Sequence, residues 1–225
     1  APTLLVGLQD FDQLSKFLKH ADRSLRGHLS AFEVMWQNYY QLVTDDTAGN
    51  AAPLSRDYPL YVLVEALGAE EQTALDLLES ALNEQLIEDA VIAQSEAQRQ
   101  SLWALRDDVA QTFRHGPVFL FDVSLRLPDM ATYVNDVNRG LKARFGDFHN
   151  YTLGHVGDGN LHFAIAVGDG GESARQAVEE AVYSPLQPIG GSVSAEHGIG
   201  LEKKPYLHLA RSEYEIALMR QMKLA

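Results

Sequence analysis

Cysteine is absent from all 225 residues. That excludes disulfides, thiolate metal ligands and cysteine nucleophiles together. Positive charge is scarce: 18 Lys and Arg stand against 31 Asp and Glu, for a formal net charge of −13. The longest basic cluster is Lys203-Lys204, so a phosphate backbone would be repelled and nucleic acid is disfavoured as a partner. No apolar run approaches the roughly 18–20 residues that span a bilayer, and no signal-peptide pattern opens the chain. The expectation is a soluble, cytoplasmic protein. Neither a Gly-x-Gly-x-x-Gly after a strand nor a Walker loop occurs, so no nucleotide-binding signature is evident.

What is present is apolar content of 46%, enough for one large domain or two small ones. Taken in order, strands are predicted at Thr3–Leu8, Ser30–Trp36, Tyr58–Ala66, Glu88–Ala93 and Val118–Leu125. Asp10 can cap a helix with Phe11, Leu14, Phe17, Leu18 and Ala21 on one face. A longer helix over Ala69–Leu86 carries Leu75, Leu78, Leu82 and Leu86 at helical spacing, and another spans about Ser95–Phe113. Pro128-Asp129 opens a helix with Met130, Tyr133, Val134, Val137 and Leu141 inward. A hairpin occupies Phe148–Val167, a helix striped by Ala174, Ala177, Val178, Ala181 and Val182 follows, and Tyr206–Leu224 is helical. Strands alternating with helices, yet including a tight hairpin, indicate an α+β fold. It would have a largely antiparallel sheet of ferredoxin-like β-α-β/β-α-β units with helices packed on one face.

Chemistry concentrates in His155-Val-Gly-Asp-Gly-Asn-Leu-His162. Asp158-Gly159 reads as a two-residue type I′ turn, which needs positive φ at both residues. Centring the turn there sets His155 opposite His162, with Cβ atoms roughly 4.5–5.5 Å apart. Such a pair can hold half a metal site or be a plain polar pair on a sheet face, and the hairpin alone leaves both open. A second stretch, Ser194-Ala-Glu-His-Gly-Ile-Gly200, offers a carboxylate and a third imidazole between glycines. In an extended strand Glu196 and His197 would point to opposite faces, so a bend is needed for both to serve one site.

These two stretches, with Leu29-Ser-Ala-Phe-Glu-Val-Met35, Leu102-Trp-Ala-Leu-Arg-Asp107 and Phe121-Asp-Val-Ser-Leu125, resemble the C-terminal domain of FAD-linked oxidases. That group contains D-2-hydroxyglutarate and D-lactate dehydrogenases and the flavin subunit of glycolate oxidase, within the vanillyl-alcohol oxidase superfamily. The resemblance runs over nearly the whole chain. It implies that residues 1–225 form the cap and substrate domain of a longer FAD-dependent D-2-hydroxyacid dehydrogenase, with FAD held by an N-terminal domain as partner and the family's C-terminal tail beyond Lys223-Leu-Ala225. Alone this domain is expected to be inactive, and it would self-associate as a homodimer through its uncovered interdomain face.

The resemblance also implies roles. His155, His162 and Glu196 are the metal ligands, zinc being the first choice of divalent ion. His197 is the catalytic base, and Arg106 grips the substrate carboxylate. Asp158 and Asn160 are read as turn formers, Lys203 and Lys204 as solvated, and His20, His28, His115, His149 and His208 as surface or structural. Two positions depart from the pattern for dicarboxylate substrates: Leu120 stands where a lysine is usual and Ala164 where a polar residue is usual. The apolar pair suits a less charged 2-hydroxyacid. A metal-free flavin alcohol oxidase cap and a non-catalytic metal-binding or subunit-interaction module remain as alternatives.

Overall fold

The computed structural model describes residues 1–224. The chain forms two compact units, Ala1–Arg114 with Tyr151–Asp158, and His115–Asn150 with the residues from Gly159 on.

In the first unit the order is β1 (Thr3–Leu8), α1 (Phe11–Leu25), β2 (Leu29–Trp36), α2 (Gln37–Thr44), β3 (Leu60–Ala66), α3 (Glu71–Asn83), β4 (Asp89–Ile92) and α4 (Glu96–Asp107). The strands run β4-β1-β3-β2, all antiparallel, which is the expected ferredoxin-like arrangement. The end of a later strand, β6 (His149–His155), adds beside β2 with Glu33 opposite His155. Every residue of β1 is buried, which requires cover on both faces of the sheet. The expected helical layer is supplied by α1 and α3, with Phe17 packed on Phe32 at 5.7 Å between ring centroids. A second layer, beyond the single one expected, lies over the opposite face. There Tyr40 of α2 stacks on Tyr61, and the indole N–H of Trp103 in α4 donates to Glu65 at 2.9 Å.

Asp10 caps α1 as expected, accepting from the Gln13 backbone N–H at 2.8 Å. The α3 stripe differs from the leucine repeat: its buried residues are Ala74, Leu77, Leu78 and Ala81, while Leu75 and Leu82 are exposed. Small alanines on the inner face permit a close approach to α1, and that selects the face over leucine count.

The second unit contains β5 (Val118–Ser124), α5 (Met130–Phe145), β7 (Asn160–Ala166), α6 (Glu172–Tyr183) and α7 (Glu213–Leu224). β5 and β7 pair antiparallel, with Leu120 opposite Ala164, Asp122 opposite His162 and Ser124 opposite Asn160. The five residues expected to face inward from α5 are all buried, and Tyr133 meets Phe163 edge to face. The C-terminal segment is not one helix: a 3-10 turn over Lys204–Leu209 precedes α7.

The turn into β7 also departs from expectation. Of Asp158 and Gly159, only Gly159 has positive φ, 86°, so the turn is not type I′. β6 ends at His155 and β7 begins at Asn160, leaving residues 156–159 as a four-residue connection. The register that set His155 opposite His162 rested on a two-residue turn and does not follow from this one. A Cβ at Gly159 would stand 2.7 Å from the Leu125 carbonyl oxygen, which is backbone and cannot yield cheaply. Gly159→Ala is therefore expected to cost about 1–3 kcal/mol, measured by urea unfolding; an unchanged midpoint would refute it.

Candidate active site

The second unit organises its polar residues around Asp122, a fully buried carboxylate on a strand otherwise rich in apolar residues. The segment after α6 reaches it by docking on the end of β5, where Ser124 and Ser192 exchange backbone hydrogen bonds of 3.1 and 2.7 Å. Gly191 is needed for that approach, since a Cβ there would lie 2.7 Å from a Leu186 methyl and 3.2 Å from the Ser124 carbonyl. Beyond it the backbone wraps the carboxylate. The N–H groups of Ala195, Glu196 and His197 all donate to Asp122 Oδ2, at 3.0, 2.6 and 2.9 Å. Consecutive N–H groups converging on one anion form a nest, and the nest is the bend that Glu196 and His197 require.

Gly198 and Gly200, with φ of 75° and 53°, then turn the chain back. The return delivers Lys203, whose ammonium donates to Asp122 Oδ1 and, at 2.9 Å, to the Ser194 hydroxyl. Lys203 is thus a buried counter-ion, not the solvated lysine expected. Burial alone would raise the Asp122 pKa. The Lys203 hydrogen bond and the N–H groups of His197 and Glu196 outweigh it and hold the carboxyl below the usual range.

Three expected site residues gather here. His162 faces Asp122 across the β5–β7 register, and its ring lies 6.1 Å from that of His197, inclined by 24°. Glu196 accepts at 2.8 Å from Nδ2 of Asn160, so Asn160 holds a site carboxylate in addition to ending the turn. His197 is largely exposed, with Nδ1 3.4 Å from Asp122 Oδ1.

The other two expected residues, His155 and Arg106, meet in the first unit. Both reach Glu33, buried on β2: His155 Nδ1 lies 2.7 Å from Oε1, and Arg106 Nε donates to Oε2 at 3.0 Å. Tyr39 fixes the end of α4 by donating its hydroxyl to the Arg106 carbonyl at 2.9 Å. Burial pushes that phenol well above its ordinary pKa, so it stays a donor. Of the histidines set aside, His20 contacts Ser80 and His28 the Leu67 carbonyl, as structural residues do.

Sequence motifs assign no role to Asp122 or Glu33. The available signal was a lone carboxylate inside an apolar strand run, Phe121-Asp-Val and Phe32-Glu-Val, because such a group is costly to bury without a partner.

Among the described residues no helix is long and apolar enough to cross a membrane. In fold the chain is similar to 4-ethylphenol oxidase from Gulosibacter chungangensis, with a TM-score of 0.57 over 85% of this chain and 45% of that one at 14% identity, a likeness of fold alone. In sequence it is 35% identical over 98% of its length to D-2-hydroxyglutarate dehydrogenase of Xanthomonas citri, of which it covers 48%. To the mitochondrial D-2-hydroxyglutarate dehydrogenase of Arabidopsis thaliana it is 33% identical, over 97% of this chain and 39% of that protein. The chain therefore spans less than half the length of these relatives. The family model for the C-terminal domain of FAD linked oxidases matches residues 1–225, and with these relatives it shows that the chain belongs to that family, whose members here are D-2-hydroxyacid dehydrogenases.

Proposed function

We propose that this chain is the substrate-side domain of an FAD-dependent enzyme that oxidises a D-2-hydroxyacid to the 2-oxoacid. The observation that carries the reading is the convergence of His162, Glu196 and His197 around Asp122, in a chain whose relatives are named as 2-hydroxyacid dehydrogenases. Two imidazoles and a carboxylate, from His155, His162 and Glu196, are the donor types that suit a divalent ion such as zinc. When bound, such an ion would supply a Lewis acid for the substrate hydroxyl, and flavin held by the remainder of the protein would supply the hydride acceptor.

Each residue then has a distinct task. Arg106 binds the substrate carboxylate through N–H groups at the edge of its planar guanidinium. His197 takes the hydroxyl proton through Nε2, its other ring nitrogen being turned to Asp122. Asn160 steadies Glu196 as a ligand. Leu120, 54% exposed and two residues along β5 from Asp122, gives the strand an apolar surface beside the site, with Ala164 opposite it. That pair favours substrates with a single carboxylate over dicarboxylates.

The test is metal analysis of the full-length, FAD-loaded protein, purified without chelator or histidine tag, beside a His155→Ala/His162→Ala variant. Near-stoichiometric zinc or manganese is expected in the wild type and lost in the variant, together with 2-hydroxyacid-dependent flavin reduction. An active wild type without metal would refute the ligand assignment and leave a metal-free flavin oxidase. Metal without flavin reduction by any 2-hydroxyacid would favour a non-catalytic binding module.

A further inference from the structure

Glu33 has no task in the reaction just proposed, yet its carboxylate is among the most enclosed acidic groups of the first unit, with a side chain 7% exposed. Its oxygens are divided between two residues that do have tasks, Oε1 serving His155 and Oε2 serving Arg106. The antiparallel register puts Glu33 and His155 side by side on one face of the sheet, and α4 lies over that face with Arg106.

The histidine ring closes the triangle: its Nε2 lies 3.0 Å from a terminal nitrogen of the Arg106 guanidinium. A guanidinium can only donate, and an ionised carboxylate can only accept. Nδ1 therefore carries the proton, toward Glu33, and Nε2 carries the lone pair. The opposite tautomer would set lone pair against carboxylate and N–H against N–H. A histidine that ligates through Nε2 needs the first of these tautomers, and a bound ion would take the lone pair to which Arg106 donates in its absence.

We infer that Glu33 is a positioning residue that fixes His155 in its ligating tautomer and, with the same carboxylate, aims Arg106. The inference rests on the roles proposed for His155 and Arg106. A glutamine at position 33 cannot do both jobs, because its amide presents one acceptor and one donor. With the amide nitrogen toward His155 the ring must carry its proton on Nε2; with it toward Arg106, two donors collide. An aspartate keeps both acceptors on a shorter stem.

The experiment uses the full-length protein labelled with 15N-histidine, as wild type, Glu33→Gln and Glu33→Asp, with His155→Gln to assign the resonance. Spectra are taken near pH 8.5, where an ordinary histidine is neutral. Zinc affinity, by chelator competition, and kcat and KM for a 2-hydroxyacid are measured alongside. The expected wild-type signature for His155 is a protonated Nδ1. In Glu33→Gln it moves to Nε2, zinc affinity falls roughly 10- to 100-fold, and KM rises as Arg106 loses its bearing. Glu33→Asp restores the wild-type signature and most of the zinc affinity.

A wild-type ring protonated on Nε2 would overturn the inference, as would Glu33→Gln with unchanged signature and zinc affinity. Should Glu33→Gln fail to fold, the wild-type spectrum and Glu33→Asp decide. A wild type that neither binds zinc nor oxidises a hydroxyacid would overturn the function proposed above. A change of tautomer in the variant would still support the role of Glu33.

Discussion

Asp122→Ala is expected to destabilise the protein by about 3–5 kcal/mol, as removal of one partner from a buried ion pair does, and to abolish activity with it. The substitution strands the Lys203 ammonium, which is 9% exposed, and leaves the N–H groups of residues 195–197 without their shared acceptor. The pair is not expected to exceed a well-packed apolar replacement in stability. Asp122→Ala combined with Lys203→Met should therefore recover part of the loss, and the double-mutant cycle measures the coupling.

The acid dependence follows from the direction of the Asp122 shift. A carboxyl whose folded pKa lies below its unfolded value of about 3.9 stabilises the fold at every pH above that value. The contribution disappears as pH falls through the folded pKa. Urea unfolding of wild type and Asp122→Ala should thus show a constant gap from neutrality down to about pH 5 that closes below about pH 4. A gap that persists undiminished into strong acid would contradict the ionised nest.

His197→Ala is expected to lower the rate of flavin reduction by roughly 10²- to 10⁴-fold, the usual contribution of a general base. Its side chain is 60% exposed, so the change in stability should stay within about 0.5 kcal/mol, and the kinetic loss reports on chemistry. Metal content should be unchanged, since the ligands proposed are His155, His162 and Glu196. Anaerobic stopped-flow mixing of the full-length variant with a 2-hydroxyacid reads the rate directly. Reduction within about threefold of wild type would move the base to another residue.

Sequence and structure agree where the controlling physics is local. The α5 stripe from Met130 to Leu141, the Asp10 cap and the strand positions were legible because periodicity and capping act over a few residues. Agreement fails where packing against a distant partner decides. On α3 the leucine count pointed to Leu75 and Leu82, but proximity to α1 selected Ala74 and Ala81. Asp158-Gly159 had the composition of a two-residue turn, and a four-residue connection formed instead.

For the site, the residues proposed to carry chemistry lie in short motifs, whereas those that hold them do not stand out in the sequence. Lys203 is 81 positions from Asp122, and Glu33 is 122 positions from His155. No spacing rule links residues so far apart. What the sequence does contain is the need for a partner, visible as a carboxylate amid Phe and Val, without the partner's identity.

Three of the contacts by which Asp122 grips residues 195–197 are backbone N–H groups. Peptide groups are common to nearly every amino acid, so this part of the scaffold does not depend on the side chains it presents. Location and reactivity are thereby decoupled: positions 196 and 197 can exchange their functional groups while the segment keeps its course. Such an arrangement lends itself to evolutionary diversification, one socket accepting different reactive heads.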